Sequence, residues 1–245
     1  MPDWTQAYCG APPAPEAIAT RWNLDPVLIV VLLCAAAAVW LSQRLTLKSA
    51  NGQLFAVGSA VLALALLSPL CALSVSLFSA RVAQHIVITL IAAPLLAVAM
   101  PADASVRRMP LLMAALFAIT MWLWHAPGPY AATFTSAAAY WAMHVSMLVS
   151  AVLLWSALAG PAPLSAAGAA LFTAMQMSLL GALLTFAPAP LFAPHFGTTM
   201  VWGLSALDDQ RLGALLLWVP GGALFAALSL RPLLAIVRGG AEARA

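Results

Sequence analysis

Apolar runs of about bilayer length, almost free of charge, recur along the whole chain, and nothing else in the sequence constrains the fold as strongly. A membrane-crossing helix needs about 20 mostly apolar residues. Seven such segments are read here, over residues 26–42, 53–73, 78–100, 110–125, 138–158, 165–186 and 212–233. Charged residues make up only 7% of the chain, against about 25% in soluble domains. That is too little to dress a water-facing surface. The expected fold is all-α, a polytopic membrane protein of seven transmembrane helices. Its parts are an N-terminal periplasmic arm (1–25), a seven-helix domain (26–235) and a cytoplasmic tail (236–245). The arm reads as polar, not as a signal peptide, because Asp3, Glu16 and Asp25 and the prolines at 12, 13 and 15 interrupt it.

Charge sets the expected sidedness. Arg44, Lys48, Arg107, Arg108, Arg231, Arg238 and Arg244 fall on one face of a seven-span topology. The positive-inside rule makes that face cytoplasmic. Asp3, Glu16, Asp25, Asp208 and Asp209 fall on the other, so the N-terminus is expected outside and the C-terminus inside. The small net charge of +3 sits in connections and points to topology, not to nucleic acid. The partner implied by composition is the lipid bilayer.

All four histidines, His85, His125, His144 and His195, then lie at or just below the outer face. Polar side chains within spans are costly, face the bundle interior and often serve function. Arg81 precedes His85 by four residues and Met121 precedes His125 by four, while Trp141, His144 and Met147 follow three-residue steps. Such residues share a helix face. Thioether favours Cu(I), and imidazole accepts copper, zinc or iron. His85, His125 and His144 are therefore candidate metal ligands, with Met121, Met143, Met147 and His195 as accessory ones. The plainer alternative is that the histidines are cross-helix hydrogen bonders and the methionines packing.

Around them, Arg81, Gln84, Asp209 and Gln210 are expected to support the site. Asp208 and Asp209 read first as helix caps; Asp209 could instead orient a histidine or pair with Arg81 or Arg211. The run Pro220-Gly221-Gly222 should kink or locally open the last span. Cys9 and Cys71 both fall near the outer face, where a disulfide and transient copper contact are alternatives; Cys34 reads as inert. Catalytic residues are not expected. The only lysine, Lys48, lies in a connection, which excludes a retinal Schiff base within a span. Phosphate-cradling, HExxH and GxSxG motifs do not occur.

Several ordered pieces together carry a resemblance: Ser68-Pro69-Leu70, the run from Leu77 to His85, Ala92-Ala93-Pro94-Leu95-Leu96, Trp124-His125-Ala126-Pro127, His144, and Asp209-Gln210 with Gly213, Trp218 and Pro220-Gly221-Gly222. Cys9-Gly10 and Trp22-Asn23-Leu24-Asp25-Pro26 extend it to the N-terminus. The chain resembles the integral-membrane CtaG family of cytochrome c oxidase assembly factors. The resemblance implies a multi-pass protein of the bacterial inner membrane that is not an enzyme. It also implies copper as the metal, cytochrome c oxidase subunits as partners, and periplasmic copper chaperones as possible donors. The family's histidines match His85, His125 and His144. Two departures stand out: Arg81 and Val82 occupy positions where members often carry histidine and methionine, and Met143 replaces an acid. Arginine cannot deprotonate to bind a metal. The rival readings are a haem-binding redox protein using two of the same histidines, and a metal-free scaffold for oxidase subunits.

Overall fold

The computed structural model describes residues 7–44, 46, 48–100 and 102–242, without the side chains of 233 and 235–242. Asp3, Arg244 and the Arg238 side chain, used above for sidedness, lie outside the described residues. The fold is all-α. In chain order the helices are α1 (Pro26–Ser42), α2 (Ala50–Leu67), α3 (Pro69–Ser76), α4 (Phe78–Ile86), α5 (Ala93–Ala99), α6 (Ala104–Arg107), α7 (Pro110–Trp124), α8 (Pro127–Ala132), α9 (Ala137–Leu158), α10 (Pro163–Thr185) and α11 (Ala206–Glu242). Among the described residues five helices are long and apolar enough to cross a membrane: Ala50–Leu67, Phe78–Ala99, Ala137–Leu158, Pro163–Thr185 and Ala206–Pro232. Two shorter apolar helices, Pro26–Ser42 and Pro110–Trp124, coincide with the first and fourth expected spans.

The helices start where the sequence offers a cap or a proline. Asp25 accepts from the Val27 amide at 2.8 Å, Ser49 from Gly52 at 3.1 Å and Ser136 from Ala139 at 3.2 Å. Each satisfies an amide that the first turn cannot bond internally. Proline opens α1, α3, α7, α8 and α10, where its missing N–H costs nothing.

The apolar pattern is reversed relative to a soluble bundle. On α10 the small residues Ala166, Ala169, Ala170 and Ala174 are buried, while Leu171, Met175, Leu179 and Leu183 form an exposed stripe. Without a hydrophobic drive between helices in lipid, small residues allow the close backbone approach that packing needs. α10 pairs most extensively with α11. A Cβ at Gly181 would stand 2.5 Å from Trp218 Cβ, so glycine is required for that approach.

Two expectations need correction. The second span does not run to residue 73. Ser68 and Pro69 end α2 and begin a separate helix, α3, whose first amide, Leu70 N, the Ser68 hydroxyl caps at 3.4 Å. The last span also begins earlier than residue 212, and α11 continues as helix through Pro220-Gly221-Gly222. There Gly222 leaves room for α10: a Cβ would sit 3.0 Å from Ser178 Oγ.

Between α4 and α5 the chain makes a π turn, Val87–Ala92. The Thr89 carbonyl, turned outward there, accepts from Trp155 Nε1 of α9 at 2.8 Å. Such turns insert a residue into an α-helix and often mark functional positions.

Candidate metal centre at the histidine end

Three helices bring His85, His125 and His144 together. His85 lies two turns into α4, His125 caps the C-terminus of α7, and His144 lies two turns into α9. The His85 ring centroid is 5.6 Å from that of His125 and 5.6 Å from that of His144. All three are at least 97% buried. His85 is the centre of the group, with a neighbour on each side.

Their hydrogen bonds leave electron pairs in surplus. His125 Nδ1 lies 2.8 Å from the Met121 carbonyl and His144 Nδ1 lies 2.9 Å from the Tyr140 carbonyl. A carbonyl only accepts, so each Nδ1 carries the proton and each Nε2 presents a lone pair. His125 Nε2 and both nitrogens of His85 have no hydrogen-bond partner. His144 Nε2 faces Gln84 Oε1 at 3.5 Å, and Gln84 is held in that orientation by donating from Nε2 to the Ala65 carbonyl at 2.8 Å. Neutral His85 has one ring N–H of its own, so the buried acceptors outnumber the donors, an arrangement that costs free energy unless a cation or proton joins it.

The separations suit pairs of ligands. With a ring nitrogen ~2.0 Å from a metal, the ring centroid is ~3 Å from it, so two imidazoles on one ion have centroids ~5–6 Å apart. Among the described residues, no three His, Cys, Asp or Glu side chains are already disposed around one ion position. His85–His125 and His85–His144 are thus two adjacent pairs sharing a member. Met121, Met143 and Met147 are all buried. Met143 and Met147 pack with Tyr140 beside Tyr8, Cys9, Trp124 and Trp141.

His195 stands apart from the three. It sits in the α10–α11 connection, with Nε2 2.6 Å from the Tyr130 hydroxyl and its ring 5.4 Å from Phe134 and 6.4 Å from Phe78. Phe78 lies between it and His125. Burial, aided by the Arg81 charge, pushes the His195 ring down to about 3, which keeps it neutral.

The expected Arg81–Asp209 pair does not form. Asp209, on α11, accepts from the backbone amides of Phe78 at 2.6 Å and Ser79 at 3.1 Å and from the Ser79 hydroxyl at 2.5 Å. It caps α4 and not its own helix, because a buried carboxylate best offsets two amides that the start of α4 cannot bond. Ser205 instead caps α11: its hydroxyl accepts from the Asp208 amide at 3.1 Å and donates to the Asp208 carboxylate at 2.5 Å, which approaches Arg211 at 4.0 Å. Arg81 has no carboxylate within ion-pair reach among the described residues. It donates to the Ser74 carbonyl at 3.3 Å and the Thr133 hydroxyl at 3.0 Å, and its guanidinium lies 4.4 Å from the Phe134 ring centroid. Aromatic faces thus take the place of a counter-ion. Gln210 braces the connection before α11, accepting from Leu191 N at 2.7 Å and donating to the Leu184 carbonyl at 2.9 Å.

The aromatic residues of the site were not singled out from the sequence. Tyr140 lies 4.2 Å from the His144 ring, and Tyr130 and Phe134 flank both Arg81 and His195. Pro127-Gly128-Pro129 was the available signal for α8, which carries Tyr130 to the site.

Cys9 and Cys71 are joined in a disulfide, so neither offers a thiolate in this state. Cys34 is exposed on α1, not packed in the core.

Fold and site together define a polytopic helical membrane protein with buried, donor-starved imidazoles gathered at one end of its bundle. The chain belongs to the cytochrome c oxidase caa3 assembly factor (Caa3_CtaG) family, which it matches over residues 32–238. It is an assembly factor for cytochrome c oxidase and a multi-pass protein of the bacterial inner membrane. Neither a curated protein nor a solved structure matches it.

Proposed function

We propose that this factor holds copper on His85, His125 and His144 and passes it to a cytochrome c oxidase subunit on the periplasmic side. The observation that carries this reading is the surplus of buried imidazole lone pairs around His85. A cluster built only for packing would pair those atoms with donors. The nearby charges favour a monovalent ion. The three ligands are neutral, no carboxylate stands among them, and the Arg81 guanidinium adds a positive charge that opposes a divalent ion more strongly than Cu(I). Met121, Met143 and Met147 are the accessory thioethers of choice, one or two to each imidazole pair. His195 and Gln210 then act as braces.

The same reading takes the bundle as seven spans, from 26 to 235, with the N-terminus outside. α1 and α7 count as spans despite their length, since the charged connections after α1 and before α7 hold Arg44, Lys48, Arg107 and Arg108. Both connections lie at the end of the bundle away from the histidines. Periplasmic copper chaperones are the expected donors and oxidase subunits the acceptors.

The test is metal content of the purified protein after anaerobic Cu(I) loading. Wild type is expected to retain copper. Replacing His85 should abolish retention, and replacing His125 or His144 should weaken it at least tenfold. Retention unchanged in all three variants rejects these ligands. A Soret band in the purified protein would point to haem instead.

A further inference from the structure

The N-terminal arm is a strap over the histidine end. Gly10, at φ +84°, makes the left-handed turn that a side chain would strain. Its amide donates to the Ala7 carbonyl at 2.7 Å, which seats Cys9 toward the bundle. Further along, the Pro13 carbonyl accepts from Ser76 at 3.3 Å, and the Asn23 amide donates to the Leu67 carbonyl at 2.8 Å. Tyr8 stacks on Tyr140 with centroids 4.7 Å apart and donates to Asp25 at 2.5 Å.

A disulfide pins this strap one tyrosine away from His144. Cys9 and Cys71 have Cα atoms 5.5 Å apart and are bonded. The Tyr140 hydroxyl is 3.4 Å from Cys9 Sγ and 3.6 Å from Cys71 Sγ, and the same ring lies 4.2 Å from that of His144. Cys9 also packs in the cluster that contains Met143 and Met147. Two sulfurs and two thioethers thus lie together, with the His144 imidazole on the other side of Tyr140. Cys71 is fully buried, whereas Cys9 is partly exposed.

We propose that Cys9 and Cys71 form a redox-operated site for Cu(I), closed as the disulfide and opened by a dithiol reductant. A thiolate of the reductant attacks Cys9, the accessible sulfur, and Cys71 leaves as thiolate and takes up a proton. The second thiol of the reductant then displaces Cys9. The reductant ends as a disulfide, and its two electrons and two protons reside in two cysteine thiols. Cu(I) binding to both sulfurs releases those protons. Thiolate is the softest ligand the protein offers, so this pair receives the ion before the imidazoles do. The proposal takes its metal from the reading above, but not its ligands.

The test uses the full-length protein in lipid nanodiscs, either oxidised or reduced with dithiothreitol and desalted anaerobically. Cu(I) is titrated against a chromogenic chelator, and alkylation of the cysteines is followed by mass. Reduction is expected to add one Cu(I) equivalent and to slow alkylation of Cys9 and Cys71 at least tenfold when copper is present. C9S/C71S should show neither effect and should keep the histidine-bound copper. Equal copper in both redox states, or unprotected thiols, overturns the proposal. If the reduction-dependent equivalent survives replacement of all three histidines while the other copper is unaffected, the thiol site stands and the imidazole reading falls.

Discussion

The two ends of the bundle solve burial in opposite ways. At the histidine end, Ser74, Ser76, Ser79, Arg81, Gln84, His85, His125, Thr133, His144, His195, Asp209 and Gln210 are all buried. Side chains there bond backbone groups of other helices, as Asp209 does with α4 and Gln84 with α2. At the far end the interior is Ala114, Ala151, Leu154, Ala157, Ala169 and Ala170, and close backbone approach replaces polar contact. The far end is a dry clamp of small residues. The histidine end is a polar network held in register by that clamp, and its imidazoles are left short of donors. Stability and metal affinity should therefore respond separately to mutation at the two ends.

The largest effect is expected at Asp209. D209A leaves the Phe78 and Ser79 amides buried without an acceptor, which costs about 4 kcal/mol and should show in thermal unfolding in detergent. An unchanged melting temperature would refute the capping role. Next is the acid response of His195. Its folded ring titrates at about 3, below the ordinary 6.5. As pH falls, the unfolded chain takes up this proton first, so stability present above 6.5 drains away between 6.5 and about 3. By pH 5 the loss is about 2 kcal/mol, and H195Q should flatten that limb of a pH–stability series.

At the dry end, A169L overfills a fully buried contact and should cost about 1–2 kcal/mol while leaving copper affinity within twofold. A parallel loss of copper would show that the ends are not separable. The smallest change in stability belongs to H85L. Removing a buried ring with two unpartnered nitrogens should leave the metal-free protein unchanged or up to about 1 kcal/mol more stable, although copper retention is lost. A large destabilisation of the metal-free protein would mean that His85 is a packing residue.

Much of the scaffold was legible because proline and capping residues punctuate it: α1 starts at Pro26 after Asp25, and α7 and α9 fall within a residue of expectation. The break at Ser68-Pro69 was not, because the apolar run continues across it and hydropathy does not register a change of direction. The convergence of His85, His125 and His144 followed from their common depth. The role of Asp209 did not, since a carboxylate before a helix reads locally as that helix's own cap, and only tertiary packing aims it at α4. Arg81 misled for a related reason. A charge count offers carboxylates, whereas the fold supplies the rings of Phe134, Tyr130 and Tyr140.

The wide turn at Val87–Ala92 separates the imidazole-bearing segment from the alanine-lined segment of one continuous rod. Each α-helical residue advances the azimuth by roughly 100°, so one surplus residue resets the angular phase between the two halves. Tightening that turn into regular α-helix with no residue removed would swing His85 by about that angle relative to α5. The bulge thus works as a timing offset: it lets one segment answer to lipid packing and the other to ligand geometry without either dictating the other's azimuth.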